Sequence, residues 1–272
     1  MTALPSAQLL IDFQKLTVIR GDKAILRDFN LQIAPGEHCV ILGPNGSGKS
    51  TLIKLMTGEL YPQTGIEGTR FQLFGLAQWA LEDLRQHVGI VALDLLQMLS
   101  HEVTARVVNA REMVLSGFFN SIGLWPHHHV TIAQKRRASA ILRFLEIEHL
   151  ATRPVSAMSS GEQRRALIGR ALVHDPQVLL LDEPTNSLDP GAVHEFHVIL
   201  RKLIRAGKSL VLVTHQVADI LPEIDRVILM KQGRIIADGP KKKILTSPAL
   251  SRLFGKKLKL IQKKQRYDLV SG

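Results

Sequence analysis

Gly43-Pro44-Asn45-Gly46-Ser47-Gly48-Lys49-Ser50 is a complete G-x-x-x-x-G-K-[ST] loop, and its flanks are the ones such a loop needs. The apolar run Cys39-Val40-Ile41-Leu42 precedes it as a short buried strand, and the segment from Ser50 to Met56 follows as a helix ended by Gly58. A strand that feeds a glycine-rich turn into a helix N-terminus traps anions, because successive backbone N–H groups converge there and the helix dipole adds partial positive charge. Gly43, Gly46 and Gly48 let the backbone approach phosphates without a Cβ in the way. Lys49 can reach the β- and γ-phosphates, and Ser50 offers a hydroxyl to Mg²⁺. The pattern implies a nucleoside triphosphate site.

The 272 residues suffice for one large or two modest domains. The longest apolar runs, such as 178–181 and 210–213, are strand-sized and far short of a membrane span. Residues 1–16 lack the basic start and long apolar stretch of a signal peptide, so a cytoplasmic protein is expected. The single cysteine, Cys39, cannot form an internal disulfide and reads as an inert core thiol. The net charge of +11 is unevenly placed: from Lys241 to Gly272 there are ten Lys or Arg against one acid, Asp268. Such a stretch reads either as a solvated, partly helical tail or as a contact for anionic lipid. With Phe254 and Tyr267 as its only aromatics, a base-stacking role on nucleic acid is disfavoured.

Residues 9–42 alternate in short runs split by Arg20–Lys23 and Ala34–Glu37, predicting an antiparallel hairpin, and Thr69–Phe74 adds a further strand. Helical patterns follow at Val103–Leu115 and Val130–Glu146. Beyond Pro154, helix and strand alternate: helix Gly161–Val173, strand Val178–Leu181, helix Gly191–Ala206, strand Leu210–Thr214, then strands Arg226–Met230 and Arg234–Ala237. This order predicts an α/β fold: a P-loop NTPase core with a mostly parallel sheet, an antiparallel β subdomain and a helical insertion at about 95–155. Residues 1–255 form the ATPase domain on this reading, and 256–272 the basic tail.

The strand Val178–Leu181 ends in Asp182-Glu183. At the carboxyl end of such a strand, Asp182 is placed to hold Mg²⁺ and Glu183 to accept a proton from an attacking water. Hydrolysis by such a site depends on positioning and charge neutralisation.

Four further features join these two. Met158-Ser159-Ser160-Gly161-Glu162-Gln163 resembles the LSGGQ signature of ABC ATPases, Ser187-Leu188-Asp189 resembles their D-loop, and His215 resembles their switch histidine. The helical block between loop and signature resembles their helical subdomain. The resemblance spans about residues 9–245 and implies a homodimer working head to tail. Each ATP would lie between Gly43–Thr51 of one subunit and Ser159, Ser160 and Gly161 of the other. Glu183 would be the general base, His215 the γ-phosphate sensor, and Asp189 would communicate across the dimer. It also implies separate membrane-spanning subunits, energised from the cytoplasmic face of the cell membrane. The alternative is a soluble ABC ATPase acting on nucleic acid, a ribosome or a protein assembly.

Ser160 and Glu162 stand where the signature usually has glycine and glutamine. Arg20, beside Ile19, stands where an aromatic often stacks on adenine. Ala92-Leu93-Asp94 follows the strand Val88–Val91 where a glutamine is usual, with Gln97 a few residues late. The stretch from Ser116 to Gly123 resembles a molybdenum-transport or photorepair-type branch, and residues 239–255 resemble the close of metal-chelate importers. His127-His128-His129 reads as a solvated loop, and Trp79 and Trp125 as packing residues.

Overall fold

The computed structural model describes residues 9–92, 107–264 and 266–272. They fall into two compact units, the first built from the chain up to Leu84 together with Ser209–Gly272, the second from Arg85–Lys208.

In the first unit, β1 (Ile11–Arg20) and β2 (Lys23–Ile33) form the expected hairpin around Gly21-Asp22, and β4 (Arg70–Leu73) pairs antiparallel with β1 on its other side. Phe13, Leu16, Leu26, Phe29, Leu31 and Ile33 are buried beneath this sheet. β3 (His38–Leu42) runs parallel to both β7 (Ser209–Thr214) and β8 (Arg226–Lys231), with Val40 opposite Leu212 on one side and Val227 on the other. β9 (Arg234–Pro240) closes the edge antiparallel to β8. Cys39, Val40, Ile41 and Leu42 are all fully buried, as an apolar central strand covered on both faces should be. Burial pushes the Cys39 thiol far above its ordinary value, so it is an inert core group. One ionic node ties these layers: Arg226 is bidentate to Asp238 (2.7 and 2.6 Å) and also donates to Glu37 (2.9 Å) and the Gln32 carbonyl (2.7 Å). Trp79 is indeed a packing residue, edge-on to Phe74 with Nε1 donating to the Leu73 carbonyl.

α2 (Leu81–His87) carries the chain into the second unit, where β5 (Val88–Val91) pairs parallel with β6 (Val178–Asp182). Within the expected helical block, Asn109 and Glu112 form a capping box that starts α3 (Ala110–Ser116), and Thr131 and Gln134 form another that starts α4 (Ile132–Phe144). The Asn109 cap is why Val107 and Val108 lie outside the helix that the apolar pattern extends over them. α5 (Ser160–Ala171) and α6 (Pro190–Arg205) complete the unit. Gly117–Phe119 form a 3₁₀ turn, and Gly117 packs close to α5: a Cβ there would lie 2.3 Å from the Arg170 carbonyl oxygen. One side-chain expectation changes: Trp125 is 45% exposed. His127 and His129 are exposed, as expected of a solvated loop, while the His128 ring stacks 4.2 Å from Phe119 and its Nδ1 accepts from the Trp125 amide.

The basic tail is largely ordered secondary structure. The stretch from Lys241 is partly helical, as expected, in α7 (Lys241–Ile244) and α8 (Ser247–Phe254), and beyond them it forms an antiparallel hairpin, β10 (Leu258–Lys263) with β11 (Arg266–Ser271). Its alternation puts Leu258, Leu260, Tyr267 and Leu269 on one face, and that period of two outweighs the run of lysines.

The β8–β9 turn braces the glycine-rich loop. The Gly233 amide donates to the Ser47 carbonyl (2.9 Å), and the Arg27 amide donates to the Gly233 carbonyl (3.1 Å). Gly233 has φ +75°, and a Cβ there would fall 2.0 Å from the Ile25 carbonyl oxygen. Gly233→Ala therefore forces both a left-handed alanine and a backbone collision, a combined cost of about 2–4 kcal/mol. Thermal unfolding should show a lower midpoint, and an unchanged midpoint would contradict this bracing role.

Candidate functional site

The first unit holds the phosphate loop and His215. α1 (Lys49–Met56) begins at Gly48, whose φ of 102° is a conformation that side chains disfavour. Close packing reinforces the choice: a Cβ on Gly43 would lie 2.3 Å from the Met230 carbonyl oxygen, and one on Gly48 would lie 2.9 Å from Leu26 and Met230 side-chain carbons. Lys49 is buried, and its Nζ donates to the carbonyls of Gly43 (2.9 Å) and Pro44 (3.2 Å), so the cation sits inside the loop it serves. Pro44, Asn45 and Gly46 form the outer rim, while Ser47 is buried beneath it. The loop is joined to the strand that carries His215, because the Gly43 amide donates to the Thr214 carbonyl (3.2 Å). Thr214 Oγ1 donates to the buried Asp219 and accepts from the Gln216 amide (3.0 Å), fixing the backbone on both sides of His215. Arg20 is exposed at the end of β1. Gln97 lies outside the described residues.

The second unit holds Ser159, Ser160 and Gly161 at the start of α5, and Asp182 at the end of β6 with Glu183 and Asp189 beyond it. Ser159 caps α5: its Oγ accepts from the Glu162 amide (3.3 Å), and the Glu162 carboxylate accepts from the Ser159 amide (2.8 Å). That backbone hydrogen bond holds the Glu162 carboxyl below its ordinary value. The cap leaves the Ser160 and Gly161 amides in the open first turn, where an α-helix has no internal acceptors. Gly161 also permits a close approach, since a Cβ there would lie 3.3 Å from Ala192 Cβ of α6. The residue that stands where glutamine is usual is thus a helix cap. Glu162→Gln preserves the box, whereas Glu162→Ala removes it at about 0.5–2 kcal/mol. Comparing the two variants by thermal unfolding checks this, and equal midpoints would refute it.

Sequence reasoning missed Arg164, one turn into α5 and almost fully buried, which donates to the carbonyls of Pro184 and Asn186. It ties the signature helix to the segment between Glu183 and Asp189, and no local sequence signal marks a partnership 20 residues long. That segment is tightly wound. Glu183 (φ 46°) and Ser187 (φ 63°) adopt left-handed backbone, which costs a non-glycine residue about 1 kcal/mol or more. Asp189 ends it by capping α6, accepting from the amides of Gly191 (2.9 Å) and Ala192 (3.0 Å).

The family model of the ABC transporter matches residues 26–186, which hold both the glycine-rich loop and the acidic strand end. The chain belongs to the ABC transporter family. It is an ATP-binding cassette, an ATP hydrolase of the kind that energises membrane transport. It is 32% identical over 250 residues to the ABC transporter ATP-binding protein YlmA of Bacillus subtilis, with 90% of this chain and 91% of that one covered. Among solved structures it is similar to cbiO1 from Clostridium perfringens, part of the ABC transporter complex cbiONQ. There the TM-score is 0.74 at 28% identity, covering 90% of this chain and 94% of that one. It is also similar to a dimeric ATP-binding cassette in a post-hydrolysis state bound to ADP and Pi. That match has a TM-score of 0.67 at 25% identity and covers 85% of this chain and 98% of the other.

Proposed function

We propose that two copies of this ABC cassette close head to tail on ATP and drive separate membrane-spanning subunits from the cytoplasmic face. The observation that carries this reading is the open N-terminus of α5, capped by Ser159 and Glu162 so that the amides of Ser160 and Gly161 remain for an anion. In the closed dimer these residues would face the γ-phosphate of an ATP held by Gly43–Thr51 of the other copy. Lys49 would neutralise the β- and γ-phosphates, and His215 would sense the γ-phosphate.

Ser50 and Asp182 each offer the kind of oxygen donor that Mg²⁺ takes alongside substrate phosphates. Mg²⁺ bound with the nucleotide would neutralise charge developing on the phosphoryl oxygens. Glu183 would take the proton of the attacking water. Asp189, joined to Glu183 by a short strained segment, would report closure of the partner copy. Among the described residues no helix is long and apolar enough to cross a membrane, which fits an ATPase whose membrane-spanning partners are separate chains.

Light scattering tests the dimer. With ATP, the Glu183→Gln protein should double in mass, and adding Gly161→Asp, which sets a carboxylate against the phosphate, should return it to a monomer that still binds ATP. A protein that stays monomeric with ATP, or a dimer untouched by Gly161→Asp, would contradict the proposal.

A further inference from the structure

The chain between Gln216 and Asp225 makes a short turn at Val217–Asp219 and a second at Pro222-Glu223 before it enters β8. Inside it are the bonds from the Ile220 amide to the Val217 carbonyl and from the Ile224 amide to the Leu221 carbonyl, both 3.2 Å. Its outer bend is held by a residue from elsewhere. Lys241 is 9% exposed, and its Nζ donates to the carbonyls of Leu221 (3.2 Å) and Pro222 (2.8 Å), while its amide donates to the Asp225 carbonyl. The Tyr267 ring of β11 lies over the same ammonium, 5.9 Å from Nζ to ring centroid. β11 packs against the Val217–Asp219 turn itself.

The hairpin is in turn anchored to the body. The Leu258 and Leu260 amides donate to the hydroxyls of Ser251 (3.0 Å) and Ser247 (2.9 Å) on α8. A buried ammonium is costly to keep, and this one spends two of its three donors on carbonyls of the His215 segment. The third side faces an aromatic ring, the arrangement in which a cation and a π-face attract.

We propose that Lys241, clamped from outside by Tyr267 of the C-terminal hairpin, is a positioning residue that sets the His215 segment for ATP hydrolysis. Lys241 fixes the far end of the segment, and the Thr214–Asp219 hydrogen bond fixes the near end. His215 lies between Thr214 and the bend that Lys241 holds. The clamp touches no nucleotide-binding residue of the phosphate loop, so it acts on turnover and leaves ATP binding alone. It rests on the reading of His215 as the γ-phosphate sensor.

The test uses the full-length protein and the variants Lys241→Met, Tyr267→Leu and Tyr267→Phe, with His215→Ala as the reference. Lys241→Met and Tyr267→Leu should lower kcat about tenfold or more, the scale expected of a misplaced catalytic group. ATP dissociation constants measured in parallel should stay at wild-type values, and melting midpoints, lowered by the lost bonds to the carbonyls, should stay well above the assay temperature. Tyr267→Phe keeps the ring over the ammonium and should keep the rate. Combined with His215→Ala, the clamp variants should cost nothing further, since both act through one group. Wild-type kcat in Lys241→Met, or a full additional loss on the His215→Ala background, overturns the clamp. A weakened ATP affinity or melting midpoint that accounts for the lost turnover would make the contact merely structural and also overturns it. Wild-type turnover in His215→Ala alone would instead strike down the sensor reading beneath it.

Discussion

Replacing Glu183 with Gln should lower ATP turnover by about 10²- to 10⁴-fold, the contribution expected of a positioned general base. The amide has the carboxylate's size and shape, so the left-handed turn at Glu183 and the bonds from Arg164 to Pro184 and Asn186 should survive the change. What is lost is the proton acceptor. ATP binding should persist, and the protein should retain unhydrolysed ATP when separated from free nucleotide. Turnover equal to wild type would remove Glu183 from the role of base. Loss of ATP binding together with turnover would mean that the substitution had damaged the fold.

Lys49→Ala should be nearly as damaging, for a different reason. Removing one preorganised donor from a transition state costs about 10²- to 10³-fold in rate. Lys49 also has a second task, because its Nζ ties the carbonyls of Gly43 and Pro44 across the loop. The variant should lose ATP affinity as well as turnover, whereas Glu183→Gln should lose turnover alone. Measuring ATP affinity and hydrolysis side by side separates the two. A Lys49→Ala protein that binds and hydrolyses ATP like wild type would show that the loop is not the nucleotide site.

Most of the core was legible because its constraints are local. The loop needs glycines where the backbone turns left-handed or meets Met230, and the strands β3, β6, β7 and β8 are continuous apolar runs bounded by turns. The helix order after Pro154 followed from caps and periodicity, to within a residue or two at each end. The hairpin in the tail was not foreseen because composition was weighed over alternation. Ten basic residues suggested a solvated appendage, yet Leu258, Leu260, Tyr267 and Leu269 recur with the period of a strand, and Lys241 is buried. Glu162 was read as a departure from the signature motif, although Ser159-x-x-Glu162 is itself a capping-box pattern. Arg164 and Lys241 escaped detection because their partners are backbone carbonyls about 20 residues away, and carbonyls carry no sequence identity.

The central claim is that ATP hydrolysis by this cassette energises membrane-spanning partners, and a pull-down tests it most directly. Tagged Glu183→Gln protein would be recovered with ATP from gently solubilised cells, and the chains bound to it identified. The account predicts a stoichiometric multi-span membrane protein that stays bound to the ATP-trapped cassette. Recovery of nucleic acid, ribosomes or soluble proteins, with no membrane-spanning chain among them, would contradict it.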